Sequence, residues 1–159
     1  LRRNTSVPQF GAKKGVFIMI RLITGKKGSV KTKIIIDRIN AAVKDTNGCL
    51  VCIEKGETLR RSISYKVRWC DTEQFAIDSF DAFYGFVAGM LAGNYDIKEI
   101  YVDGNQDHHG ILKIAGADFE ALGRTLEKLD KLTGDDSTVT FTVSADAAEL
   151  PASVTKFVD

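Results

Sequence analysis

A continuous apolar run, Val16 to Thr24 (VFIMIRLIT), breaks at Gly25-Lys26-Lys27-Gly28-Ser29 and gives way to a helical pattern from Val30 to about Lys44. A stretch apolar at both odd and even positions fits a strand covered on both faces, as in a parallel sheet between layers of helix. Ile35, Ile39, Ala42 and Val43 supply one apolar stripe of the helix that follows. The alternation then continues. Gly48 closes the first unit, and Cys49 to Glu54 reads as a second strand. Tyr65 to Asp71 reads as a third. Phe80, Phe83, Tyr84, Val87, Met90 and Leu91 recur at helical spacing, with Asp78 or Ser79 as cap and Gly93 as stop. Ile97 to Asp103 is a fourth strand, and Phe119, Leu122, Leu126 and Leu129 mark another helix closed by Gly134. Val139, Phe141 and Val143 alternate with threonines, the pattern of a half-exposed strand near an edge. Pro151 opens a short final helix.

Strands alternating with helices predict an α/β fold of three layers: a mostly parallel central sheet of about five strands with helices on both faces. The only prolines, Pro8 and Pro151, lie outside this middle, which shows no repeat and no linker. The expected organisation is a flexible extension over residues 1–15 and a single domain over 16–159. The net charge of +1 gives no global attraction to nucleic acid or to an acidic membrane. No apolar stretch reaches the ~20 residues of a membrane span, and Arg2 and Arg3 have no signal-peptide core after them. Three cysteines do not make a disulfide framework. Cys49 and Cys52 form a CxxC, but three residues apart on a strand they face opposite ways and cannot share a metal. Buried thiols in a reducing, cytoplasmic setting are the expectation.

The break at Gly25 to Thr32 carries the chemistry. It reads Gly25-Lys26-Lys27-Gly28-Ser29-Val30-Lys31-Thr32, against a phosphate-loop pattern of G-x-x-x-x-G-K-[ST] between a strand and a helix. Backbone N–H groups of such a loop wrap anionic phosphates, and the helix presents its positive end. Lys31 would reach the β- and γ-phosphates, and Thr32 would ligate Mg²⁺ through its hydroxyl. Val30 replaces the glycine of the pattern, where the backbone passes close to phosphate and a β-branched residue resists unusual dihedrals.

The segment Met19 to Thr32 resembles the opening of small P-loop ATPase-like proteins of anaerobic Firmicutes, often labelled twitching-motility or pilus-retraction-ATPase-like. The resemblance extends to Ile53-Glu54-Lys55, Phe83-Tyr84-Gly85-Phe86, Leu91 to Ile97, Leu126 to Leu132, and the tail from Val143 to Pro151. It implies a P-loop NTPase-like fold and a nucleotide ligand, with glycine in relatives at the position of Val30. None of the acidic or histidine boxes of the true retraction motors is present.

A phosphate loop needs a second acid at the end of an apolar strand to hold Mg²⁺, and Ile100-Tyr101-Val102-Asp103 supplies one. The glutamate that often follows such an aspartate is replaced by Gly104. Glu54, at the end of the second strand, is the substitute candidate for a catalytic base. Asp107-His108-His109 resembles a triplet of metal-dependent phosphoesterases, but the chain has only two histidines and cannot assemble that site. Arg60, Arg61, Lys66 and Arg68 read by default as a solvated basic face, with nucleic-acid contact the minority reading. The expectation is binding of ATP (or GTP) with Mg²⁺ by Gly25, Lys26, Lys27, Gly28, Ser29, Val30, Lys31 and Thr32. Thr32 and Asp103 would hold the metal, and hydrolysis would be slow. The alternative is a degenerate scaffold that binds a protein partner or a second copy.

Overall fold

The structure, a computed structural model, describes residues 19–26, 30–104, 118–133 and 136–159. Among these residues, five strands and four helices follow one another as β1 (Ile20–Thr24), α1 (Lys31–Asp45), β2 (Cys49–Glu54), β3 (Arg68–Asp71), α2 (Phe80–Gly93), β4 (Ile97–Gly104), α3 (Phe119–Thr133), β5 (Thr138–Val143) and α4 (Ala152–Thr155), with a 3₁₀ turn at Ala147–Glu149. The strands form one sheet in the order β1-β5-β4-β2-β3, and every pair is parallel.

The direction of travel decides which face each helix covers. The chain crosses the sheet outward from β1 to β2 and β3, then returns through β4 to β5. Right-handed crossovers place the outward connections on one face and the returning ones on the other. Accordingly, Ile35 and Ile39 of α1 join Leu59 and Val67 of the β2–β3 connection around Leu50, Cys52 and Tyr101. On the opposite face, Phe80, Phe83 and Val87 of α2 and Leu122, Leu126 and Leu129 of α3 pack on Val51, Ile53, Ile100, Val102, Val139 and Phe141. The aromatic stripe of α2 is thus a core face. Phe83 meets Phe141 edge-on at 5.7 Å between ring centroids.

Local signals set most boundaries. Ser79 caps α2, its Oγ accepting the Ala82 N–H at 3.0 Å. Cys49 and Cys52 fall on opposite faces, and Cys49, Cys52 and Cys70 are free thiols. β3 is shorter than its sequence pattern, because Tyr65 and Lys66 lie in a turn before Arg68. Val16 to Ile18 and Gly134 lie outside the described residues.

β5 corrects the sequence reading. It is a buried interior strand between β1 and β4, not a half-exposed one near an edge, and Thr140 and Thr142 are only 3% and 1% exposed. Threonine is β-branched and fits a central strand when its hydroxyl finds a partner. The sheet edges are β1 and β3. β1 is covered on its outer side by the tail: Leu22 N–H donates to Phe157 at 2.8 Å, and Asp159 N–H donates to Leu22 at 3.0 Å.

Candidate functional site

The register aligns five strand ends. Thr24, Val143 and Gly104 are level across β1, β5 and β4, and Glu54 is level with Asp71 across β2 and β3. The loop after β1, Asp103 and Glu54 therefore share the carboxyl edge of the sheet, where open α/β sheets bind ligands. Two contacts staple the loops after β1 and β5 together. Gly25 N–H donates to the Ala145 carbonyl at 3.1 Å, and Lys26 pairs with Asp146 at 3.3 Å.

α1 begins directly beyond this loop. Val30 occupies its N-cap with no side-chain cap and no acid in the first turn, unlike α2. Among the described residues, the first-turn amides of α1 thus lack a side-chain acceptor of the kind Ser79 gives α2. Lys31 is only 6% exposed, and its Nζ donates to the carbonyls of Gly25 at 2.9 Å and Lys26 at 2.8 Å. The ammonium is folded back onto the two residues that follow β1. Thr32, half-buried, is next on the same turn. Lys27, Gly28 and Ser29 lie outside the described residues.

Val30 does not strain the backbone. Its φ of −76° and ψ of 14° suit any L-residue, and its side chain is 65% exposed. Glycine's access to positive φ is not used at this position, so the conformational objection to valine drops out.

Asp103 is oriented by a residue that sequence reasoning missed. Thr142 Oγ1 donates to Asp103 Oδ1 at 2.9 Å and accepts the Gly104 N–H at 3.1 Å. One hydroxyl thereby fixes both the acid and the backbone beside it. The available signal was the polar position of β5 level with the strand-end acid, once the two strands are known to be neighbours. β5 also separates Asp103 from the loop-bearing β1 by two strand spacings, about 10 Å.

Glu54 is fully buried, and its two oxygens differ. Oε2 accepts the N–H groups of Leu59 at 2.8 Å and Arg60 at 3.0 Å and the indole Nε1–H of Trp69 at 3.1 Å. Oε1 is buried with no hydrogen-bond partner among the described residues. Burial pushes the carboxyl above its usual range and outweighs the three donors, and the Asp103 charge adds to the rise. Glu54 anchors the turn after β2, a role its strand-end position alone did not reveal. Asp107, His108 and His109 lie outside the described residues.

Among the described residues no three His, Cys, Asp or Glu side chains gather into a metal-holding group, and no helix is long and apolar enough to cross a membrane. Comparison with models of known protein families and with curated proteins gives no match.

Proposed function

We propose that this chain binds a nucleoside triphosphate, ATP or GTP, with Mg²⁺, as a P-loop protein of the ATPase-like kind its sequence resembles. The observation that carries the reading is Lys31: a buried ammonium at the first turn of a helix with no side-chain cap among the described residues, held by the carbonyls of Gly25 and Lys26 before it. A buried lysine is costly unless it is paired. An incoming phosphate would take over those contacts while accepting from the first-turn amides, where the helix dipole adds to the attraction. Gly25 to Val30 would wrap the phosphates, with Lys26 and Lys27 adding charge at the rim.

The residues fit a magnesium ion supplied with its nucleotide. Mg²⁺ keeps several waters and binds through one or two carboxylates plus substrate phosphates rather than through an all-protein cage. Thr32 on α1 and Asp103 on β4 would be its protein-side partners, directly or through water. The two-strand gap between Asp103 and the β1 loop leaves room for a phosphate chain and a hydrated cation. When bound, the metal would neutralise phosphate charge. Thr142 would hold Asp103 in the orientation that meets it. Glu54, the acid the sequence offers as base, would need its buried Oε1 exposed before it could accept a proton from an attacking water. The turn that clamps Oε2 would oppose that exposure, so hydrolysis would be slow. The relaxed backbone at Val30 favours a working loop over a degenerate scaffold.

The test is Lys31→Ala in a nucleotide-binding titration. Loss of binding with the thermal transition retained supports the reading, and undiminished affinity overturns it.

A further inference from the structure

The far edge of the sheet carries a second site. β1 and β3 are opposite edges of five strands, about 19 Å apart, so the β3 edge is separate from the phosphate loop. There an open trough of about 490 Å³ is lined in part by Arg60, Tyr65, Lys66, Arg68 and Trp69. The stretch 55–68 holds five basic residues against one acid, although the whole chain has a net charge of only +1. The cations are thus concentrated at one place that the overall charge conceals.

Aromatic rings are interleaved with these cations. Tyr65 is 93% exposed, which leaves a ring face in water with nothing packed on it. Arg60 stacks over Trp69 with its guanidinium carbon 4.6 Å from the ring. The floor is preordered, because Glu54 Oε2 holds Arg60 N–H and Trp69 Nε1–H together. Glu57 pairs with Arg60 at 3.3 Å and Arg61 at 3.7 Å, but these side chains are more than half exposed, and such pairs yield readily to phosphate. Lys66 has no carboxylate within ion-pair distance among the described residues.

We infer that this trough binds single-stranded nucleic acid, with phosphates on Arg60 and Lys66 and a base stacked on Tyr65. A positively charged groove with an exposed aromatic ring is the chemistry that tracks a single strand without reading its sequence. The trough is not an enclosed cavity, which suits a passing chain better than a mononucleotide.

The experiment uses the full chain carrying Lys31→Ala, so that the phosphate loop is silenced and failure of the nucleotide reading leaves the result unaffected. Anisotropy of a labelled oligothymidylate is followed against salt. Binding is expected, weakened about tenfold by Tyr65→Ala. The slope of log affinity against log salt should become shallower by about 1.4 in the Arg60→Gln/Lys66→Gln double variant. Three results would overturn the inference: no binding, binding of heparin equal to that of the strand and indifferent to Tyr65, or binding of free thymidylate with none of the oligomer.

Discussion

The two faces of one sheet are built from the same strands and differ in what they bury. On the face under α2 and α3, the sheet residues Val51, Ile53, Ile100, Val102, Val139, Phe141 and Val143 form a continuous apolar core. On the face under α1, the same strands present Tyr101, Asp103, Thr140, Thr142, Glu54 and Trp69, and apolar packing gives way toward the carboxyl edge to hydrogen-bonded polar groups. The pleat alternates side chains by residue, so one strand can serve stability with one set of alternate positions and chemistry with the other. Substitutions on the two faces should therefore separate stability from binding.

The largest expected effect on the apolar face is at Phe141, fully buried against Phe83. Phe141→Ala should lower unfolding free energy by about 3–5 kcal/mol in urea titration, while the milder Phe141→Leu leaves nucleotide affinity unchanged. A drop in affinity in Phe141→Leu would break the separation. Gly104 tests the seam between the faces, because a Cβ there would stand 2.2 Å from the Thr142 carbonyl oxygen and 2.4 Å from Phe141 Cε1. Gly104→Ala should cost about 1–3 kcal/mol by overpacking and should also disturb Asp103.

On the polar face, Thr142→Val removes the bond to Asp103 and leaves the Gly104 N–H without its acceptor. The expected cost is about 1–3 kcal/mol, accompanied by weaker Mg²⁺ dependence of nucleotide binding. Intact Mg²⁺ dependence would make Thr142 a packing residue only.

Glu54 sharpens the comparison through pH. Its folded-state carboxyl titrates above the ordinary value of 4.5, so the folded protein binds this proton more tightly than the unfolded chain does. The associated stability is fully present below about pH 4.5 and declines as pH rises through the folded value. Glu54→Gln keeps an acceptor for the three donors and cannot ionise, so its stability should be flatter over that interval than that of the parent. Equal slopes in pH-dependent urea titrations would refute the assignment. The smallest effect belongs to Val30→Gly. With no strained dihedral to relieve, nucleotide affinity should change less than about tenfold, roughly 1.4 kcal/mol.

Much of the apolar face was legible in the sequence, since Phe83, Val87, Leu122, Leu126 and Leu129 repeat at helical spacing and β1 and β2 lie in largely apolar runs. On the polar face the sequence singled out Asp103 and Glu54 by their strand-end positions, but not the groups that hold them. Thr142 escaped because a threonine alternating with apolar residues looks the same on an exposed strand and on a buried one; only the strand order supplies Asp103 as its partner. Trp69 and the Leu59–Arg60 turn escaped for the same reason, since their link to Glu54 is made in space across the turn after β2.

The measurement that tests the central claim most directly is calorimetric titration of the chain with a non-hydrolysable ATP analogue, with and without Mg²⁺. The account predicts saturable binding that depends on Mg²⁺ and is lost in Lys31→Ala. Absence of binding at millimolar nucleotide in the folded parent would contradict it.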